Sequence, residues 1–211
     1  MSRATLIAIF SQEEGTMTLA QTLRPAHHVL ALLYDAVLIL GGSILIALSA
    51  QVSVLIPLSP VPVTGQTFAV LFLGALLGSA RGAAAVLAYL AEGIAGMPVF
   101  AGGSWGIMHL LGPTGGYLVG FVGAAYLTGF LAERGWNAKL YTVALAMLLG
   151  NVVLHAVGAV WLAFSVGFRN ALALGVLPFL VGDALKVGLA SVLLPPITAF
   201  TNRHQRAEKD R

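Results

Sequence analysis

The stretch LYTVALAMLLGNVVLHAVGAVWLAF, from Leu140 to Phe164, runs for 25 residues without an Asp, Glu, Lys or Arg. As a helix it would rise about 37 Å, more than the roughly 30 Å of a bilayer's hydrocarbon core. A helix apolar on all faces must be surrounded by lipid or by other protein. The whole chain supports lipid. Of its 211 residues 58% are hydrophobic and only 9% are charged, with a mean hydropathy of +0.92. A soluble domain carries roughly a quarter charged residues. The composition therefore predicts an integral membrane protein.

Working outward from that run, five more apolar segments appear. They cover about Val29 to Val54, Thr67 to Leu77, Gly82 to Ala95, Tyr117 to Leu131 and Leu172 to Phe200. The second and third are shorter than a full span and are separated by only Gly78-Ser79-Ala80-Arg81. Short spans of this kind suit helices that stop partway and leave room for a cavity. The basic residues fall in alternate gaps: Arg3 and Arg24 before the first run, Arg81 after the second, Arg134 and Lys139 after the fourth, and Arg203 to Arg211 in the tail. Arg169 and Lys186 stand apart from that pattern. By the positive-inside rule this places both termini in the cytoplasm. The expected fold is an all-α membrane protein of six short transmembrane helices in the inner, cytoplasmic membrane. Residues 1–25 read as a polar, disordered N-terminal extension, with Met17 an alternative start. Residues 26–200 read as the transmembrane domain, and 201–211 as a basic cytoplasmic tail that touches anionic headgroups rather than nucleic acid.

Two segments should be irregular. Between Ile56 and Gln66 lie Pro57, Pro60 and Pro62, which forbid a helix. From Gly96 to Gly116, between the third and fourth spans, an uncharged outward loop is rich in glycine and broken by Pro98 and Pro113. Irregular backbone at membrane depth is tolerated only when buried in protein or lining a cavity. This loop is the first candidate for a site wall. Phe100, Trp105, Tyr89 and Tyr117 surround it, as ligand wall or as interfacial anchors.

Asp183 and Lys186 carry the strongest chemical signal. Each costs about 2.5–3.5 kcal/mol at the centre of an inserting helix, which makes function the default explanation. A separation of three sets them on one face, about 16 to 22 Å from the outer end of the sixth run. The structural alternative is an ion pair locking that run to its neighbours. Asn151 and His155 share a face of the fifth run and read as interhelical hydrogen-bonding groups. Glu92 reads as a headgroup-level carboxylate. On the first run Ser43 and Ala47 have small-xxx-small spacing, with Ala50 nearby, for either internal packing or a partner helix.

No cysteine is present, and no G-x-x-x-x-G-K-[ST] or H-E-x-x-H occurs. A nucleotide-cradling loop and those metal sites are therefore not expected. The sequence before Asp183 is Leu180-Val181-Gly182, without the first glycine of the G-x-G-D pattern of intramembrane aspartyl proteases. Asp35 lies at the wrong depth to pair with Asp183. No enzyme, cofactor or metal is expected.

The blocks Met97-Pro98-Val99-Phe100-Ala101-Gly102-Gly103-Ser104 and Leu111-Gly112-Pro113-Thr114-Gly115-Gly116-Tyr117-Leu118 resemble the BioY family of biotin transporters. That family comprises the substrate-binding S components of energy-coupling-factor (ECF) transporters. Pro60 to Thr67, Gly175 to Phe179 and Gly182 to Lys186 extend the similarity over about Leu30 to Phe200. The resemblance implies a six-helix fold with an outward-facing pocket for biotin, a membrane coupling protein and ABC-type ATPases as partners, and docking through Ser43, Ala47 and Ala50. It implies that Asp183 and Lys186 bind the ureido end of the ligand. Phe100, Gly102, Gly103, Trp105, Tyr89 and Asn151 complete the expected site. Some relatives carry an asparagine where this chain has Gly102-Gly103, and His155 stands where an aromatic or aliphatic residue is expected. The alternatives are an S component for another vitamin, a self-sufficient secondary vitamin carrier, or a membrane scaffold.

Overall fold

The structure, a computed structural model, describes residues 18–56 and 59–209, with 201–209 described as helix only. Residues 1–17 of the polar N-terminal extension and residues 210–211 of the tail lie outside it. A single turn, α1 (Leu19–Thr22), precedes α2 (His28–Gln51). Two short strands, β1 (Ser53–Val54) and β2 (Val63–Thr64), pair antiparallel, Ser53 opposite Thr64. The proline-rich segment between them therefore closes as a hairpin rather than an open loop. The helices α3 (Gln66–Leu77) and α4 (Ser79–Ile94) follow, joined at Gly78. A 3-10 turn (Ala101–Gly103) and the turn α5 (Ile107–Leu110) lead to α6 (Gly115–Leu131). Then come α7 (Leu140–Val166), α8 (Phe168–Gly175), a second 3-10 turn (Leu177–Phe179) and α9 (Leu180–Lys209).

Among the described residues, four stretches are long and apolar enough to cross a membrane: His28–Gln51, Gly115–Trp136, Leu140–Val166 and Phe168–Phe200. The first of these turns Leu33, Val37, Leu40, Ile44 and Leu48 outward, each more than half exposed. Such a stripe has a favourable environment in hydrocarbon or against another apolar surface. Its opposite side packs against α4, so closely that a Cβ on Gly42 would sit 2.9 Å from that of Ala85. Ser43 and Ala50 are fully buried there, and Ala47 packs on the core. Of the two uses open to these small residues, internal packing or a partner helix, Ser43 and Ala50 serve packing within the chain. Ser43 also donates to Glu92 Oε1 at 2.7 Å, so Glu92 is bonded within the bundle rather than left to the headgroups.

The centre is built on close helix contacts. Cβ atoms on Gly116 and Gly158 would fall within 2.3 Å of the Trp161 and Tyr117 side chains, and one on Gly120 within 3.1 Å of Leu154 backbone. The GxxxG spacing on α6 is used to seat α7. Around them lies a core of Val70, Leu71, Val86, Phe121, Leu154 and Leu162. At the opposite end from the hairpin, Glu133 accepts from the backbone N–H and the hydroxyl of Ser79, capping α4.

The sixth run is not one continuous helix. It breaks at Gly175 and Pro178 into α8, the 3-10 turn and α9, because Pro178 begins a new turn and cannot continue the old one. Asp183 therefore stands in the first turn of α9 and Lys186 one turn on. The depth expected from an unbroken helix does not apply. The positive end of a helix dipole lies under the carboxylate instead.

Candidate functional site

Helices α3, α6 and α7 enclose a cavity with about 490 Å3 of empty space, its open side included. The walls are chiefly apolar. Val61 and Pro62 come from the hairpin, Tyr117, Leu118 and Phe121 from α6, Leu154 from α7 and Phe179 from the second 3-10 turn. Ala101, His109 and Thr114 arrive from the glycine-rich connection, which supplies part of the wall as expected. Burial holds the His109 imidazole below its usual pKa, so the ring is neutral near pH 7. It stacks on Phe100 with centroids 5.0 Å apart.

The polar end of the cavity is formed by Thr67 and His155, and behind them lies Asp183. His155 Nε2 meets Asp183 Oδ2 at 2.7 Å. Thr67 Oγ1 donates to Asp183 Oδ1 at 3.4 Å. Lys186 Nζ donates to the Thr67 hydroxyl at 2.5 Å and lies 3.4 Å from Asp183 Oδ1. Asp183 is 5% exposed, so a bare carboxylate would be prohibitive there. Three donors and the helix N-terminus offset that cost. Lys186 opens, with Asn151 and Thr67, onto a smaller neighbouring pocket.

The two charges singled out in the sequence are thus brought to the site, though behind its lining rather than in it. The other expected residues divide. Asn151 is beside Lys186, its Oδ1 buried and without a hydrogen-bond partner among the described residues. Tyr89 and Phe100 are wholly buried behind the wall, edge to face at 5.5 Å, and the Tyr89 hydroxyl accepts from Gln66 Nε2 at 2.6 Å. They support the lining from the second layer. Trp105 is 61% exposed and lies off the cavity. Gly102 and Gly103 adopt left-handed backbone, φ 68° and 70°, which turns the chain so that Ala101 reaches the cavity while they do not. Gln51 pins this turn by accepting from Gly103 N at 3.1 Å and donating to the Phe100 carbonyl at 3.2 Å. Sequence reasoning missed Thr67, Gln66 and His109. The first two close the Pro60 to Thr67 block, where the change from proline-rich loop to helix was the available signal.

An apolar chamber with one polar, charge-backed end, set among apolar helices, fits a polytopic membrane protein that holds a small molecule. The chain belongs to the BioY family, whose model matches residues 17–203. It is 43% identical to the "Probable biotin transporter BioY" of Pyrococcus horikoshii over 71% of this chain and 86% of the relative. It is 37% identical to the "Biotin transporter BioY" of Rhizobium etli over 73% and 87%. Its fold is similar to the crystal structure of an S-component for biotin from an ECF-type ABC transporter. There the TM-score is 0.68 and the identity 27%, over 78% of this chain and 90% of that one. The family is one of multi-pass membrane transporters, not of enzymes.

Proposed function

We propose that this chain is the membrane-embedded biotin-binding subunit of a biotin uptake transporter in the cytoplasmic membrane. It captures biotin from outside and releases it inward with help from an ECF coupling protein and ABC-type ATPases. The observation that carries the reading is the cavity's polarity. Biotin is apolar along its thiophane ring and valeryl chain and polar at its ureido ring, which offers two N–H donors and a carbonyl. The apolar walls suit the former, and the cluster of Thr67, His155, Asp183 and Lys186 suits the latter. Lys186 backs that cluster by donating to Thr67 and to Asp183 from outside the cavity.

The charge pattern supports a six-span topology with both termini inside. Helices α3 and α4, with 12 and 16 residues, reach about 18 and 24 Å and form the two short spans. Partner docking falls to exposed faces of the bundle, since Ser43 and Ala50 are buried in it. The test is thermal unfolding of the detergent-purified chain with and without biotin, beside riboflavin and thiamine. A ligand that binds the folded state alone raises the midpoint. Stabilisation by biotin only supports the proposal; stabilisation by another vitamin only refutes it. Uptake of labelled biotin by cells with and without a coupling ATPase separates the subunit from a self-sufficient carrier.

A further inference from the structure

The turn that carries Ala101 into the cavity wall is tied to the bundle by the polar groups of one side chain. Gln51, the last residue of α2, stands outside the cavity lining and is exposed. Its Oε1 accepts from Gly103 N at 3.1 Å. Its two Nε2 hydrogens are shared among the carbonyls of Ala47, Phe100 and Val99, at 3.1, 3.2 and 3.4 Å. The first of these lies in its own helix; the others lie in the turn. Among the described residues, no other hydrogen bond joins residues 99–104 to a different element. Phe100 N meets Ser104 O, Gly103 N also meets Phe100 O, and Ser104 Oγ meets Ala101 O, all inside the turn. Packing does not hold the tip, since a Cβ on Gly102 or Gly103 would meet nothing within 4 Å. The flanks are fixed. Phe100 is 0% exposed, its ring filling the space that a Cβ on Gly93 would need, and Gly106 N donates to the Gly93 carbonyl at 2.8 Å. Between those two anchors on α4, Gly102 and Gly103 leave their left-handed conformation without steric penalty.

We propose that Gln51 is a positioning residue for ligand capture: its carboxamide straps the Ala101–Gly103 turn to the end of α2 and so sets how often the cavity wall opens to admit or release its ligand. This rests on the reading of the ligand as biotin. When the strap parts, Ala101 leaves the wall while Phe100 and Gly106 stay anchored on α4. Because position 51 is exposed, water replaces the broken bonds, and the stability of the whole fold depends little on them. The local opening of the turn depends on them directly. Entry and exit both pass through the open state, so a larger open fraction speeds the two by the same factor.

The experiment measures association and dissociation of labelled biotin on the detergent-purified full chain, for wild type, Gln51→Met and Gln51→Asn. Gln51→Met keeps the length of the side chain without its hydrogen-bonding groups. Gln51→Asn keeps the carboxamide on a shorter stem. Thermal unfolding without ligand accompanies each, and hydrogen exchange follows the Gly103 amide. Both variants are expected to raise the two rates together by about tenfold, the order of one net hydrogen bond, with Kd within about threefold of wild type and the unliganded midpoint unchanged. The Gly103 amide is expected to exchange faster by a similar factor. A direct contact between Gln51 and the ligand predicts a faster exit with unchanged entry. A role in packing alone predicts that Gln51→Met behaves as wild type. Either result overturns the proposal, as do unchanged rates in folded Gln51→Asn. It is also overturned if the Gly103 amide of the wild type exchanges as freely as an unstructured peptide, a result that needs no variant to fold. Failure of the wild type to bind biotin overturns the functional reading and, with it, the role in capture; the exchange of Gly103 shows separately whether the strap holds the turn.

Discussion

Removing the charge at Lys186 while leaving Asp183 in place tests whether the two act as a unit. Lys186→Met keeps the apolar stem and deletes the ammonium 3.4 Å from Asp183 Oδ1. At an effective dielectric of about 20, that separation is worth about 5 kcal/mol of attraction. The lysine side chain is 19% exposed and the carboxylate 7%, so part of this gain was offset by desolvating the ammonium, a cost the substitution removes. His155 and Thr67 also continue to serve Asp183. The net destabilisation is expected to be about 2–3 kcal/mol, below the 3–5 typical of stranding a buried charge. Asp183→Asn in the same background removes the stranded charge. The double substitution should therefore be more stable than Lys186→Met alone, with a coupling energy of about 2 kcal/mol in a double-mutant cycle. The assay is reversible unfolding of the four proteins in one detergent, each without ligand. Additive effects, with coupling below about 0.5 kcal/mol, would refute the reasoning that the pair is one electrostatic unit.

Other expectations follow from contacts elsewhere in the bundle. Gly129→Ala would set its Cβ 2.5 Å from the Gly78 carbonyl carbon and Ser79 nitrogen, backbone atoms that cannot swing aside. It should cost about 1–3 kcal/mol in detergent unfolding without altering the ligand's relative stabilisation. Tyr117→Phe removes the hydroxyl that donates to the Gly175 carbonyl at 2.7 Å and leaves that buried carbonyl unpaired. A loss of about 1–3 kcal/mol is expected, measured the same way, with the ring's place in the cavity wall retained. Glu133→Ala deletes the acceptor for Ser79 at the start of α4 and should cost about 0.5–2 kcal/mol, with faster hydrogen exchange in the first turn of that helix.

The bundle was largely legible because its elements are bounded by residues with strong local effects. Gly78 and Arg81 mark the turn between α3 and α4, and Leu140 to Val166 is apolar throughout. Hydropathy could not see the break near Gly175, since Leu172 to Leu180 is apolar whether the chain runs straight or turns; Pro178, expected to bend that end of the run, was the signal for it. Asp183 and Lys186 stood out because charge in an apolar run is costly wherever it lies. Their placement behind Thr67 and His155 depends on which helix faces which, and spacing along one chain does not carry that. The same limit hid the burial of Tyr89 and Phe100, which look like wall residues in a loop-rich segment until α3 and α4 close over them. It also hid the use of Ser43 and Ala50. A small-residue face admits a helix from this chain or another equally well.

In the proposed mechanism the polar cluster around Asp183 anchors biotin in the cavity beside it. Equilibrium dialysis of labelled biotin against the purified chain and against Asp183→Asn/Lys186→Met measures this directly. One saturable site per wild-type chain, lost in the folded double variant, is the predicted result. Equal binding by the two proteins, or none by a folded wild type, would contradict it.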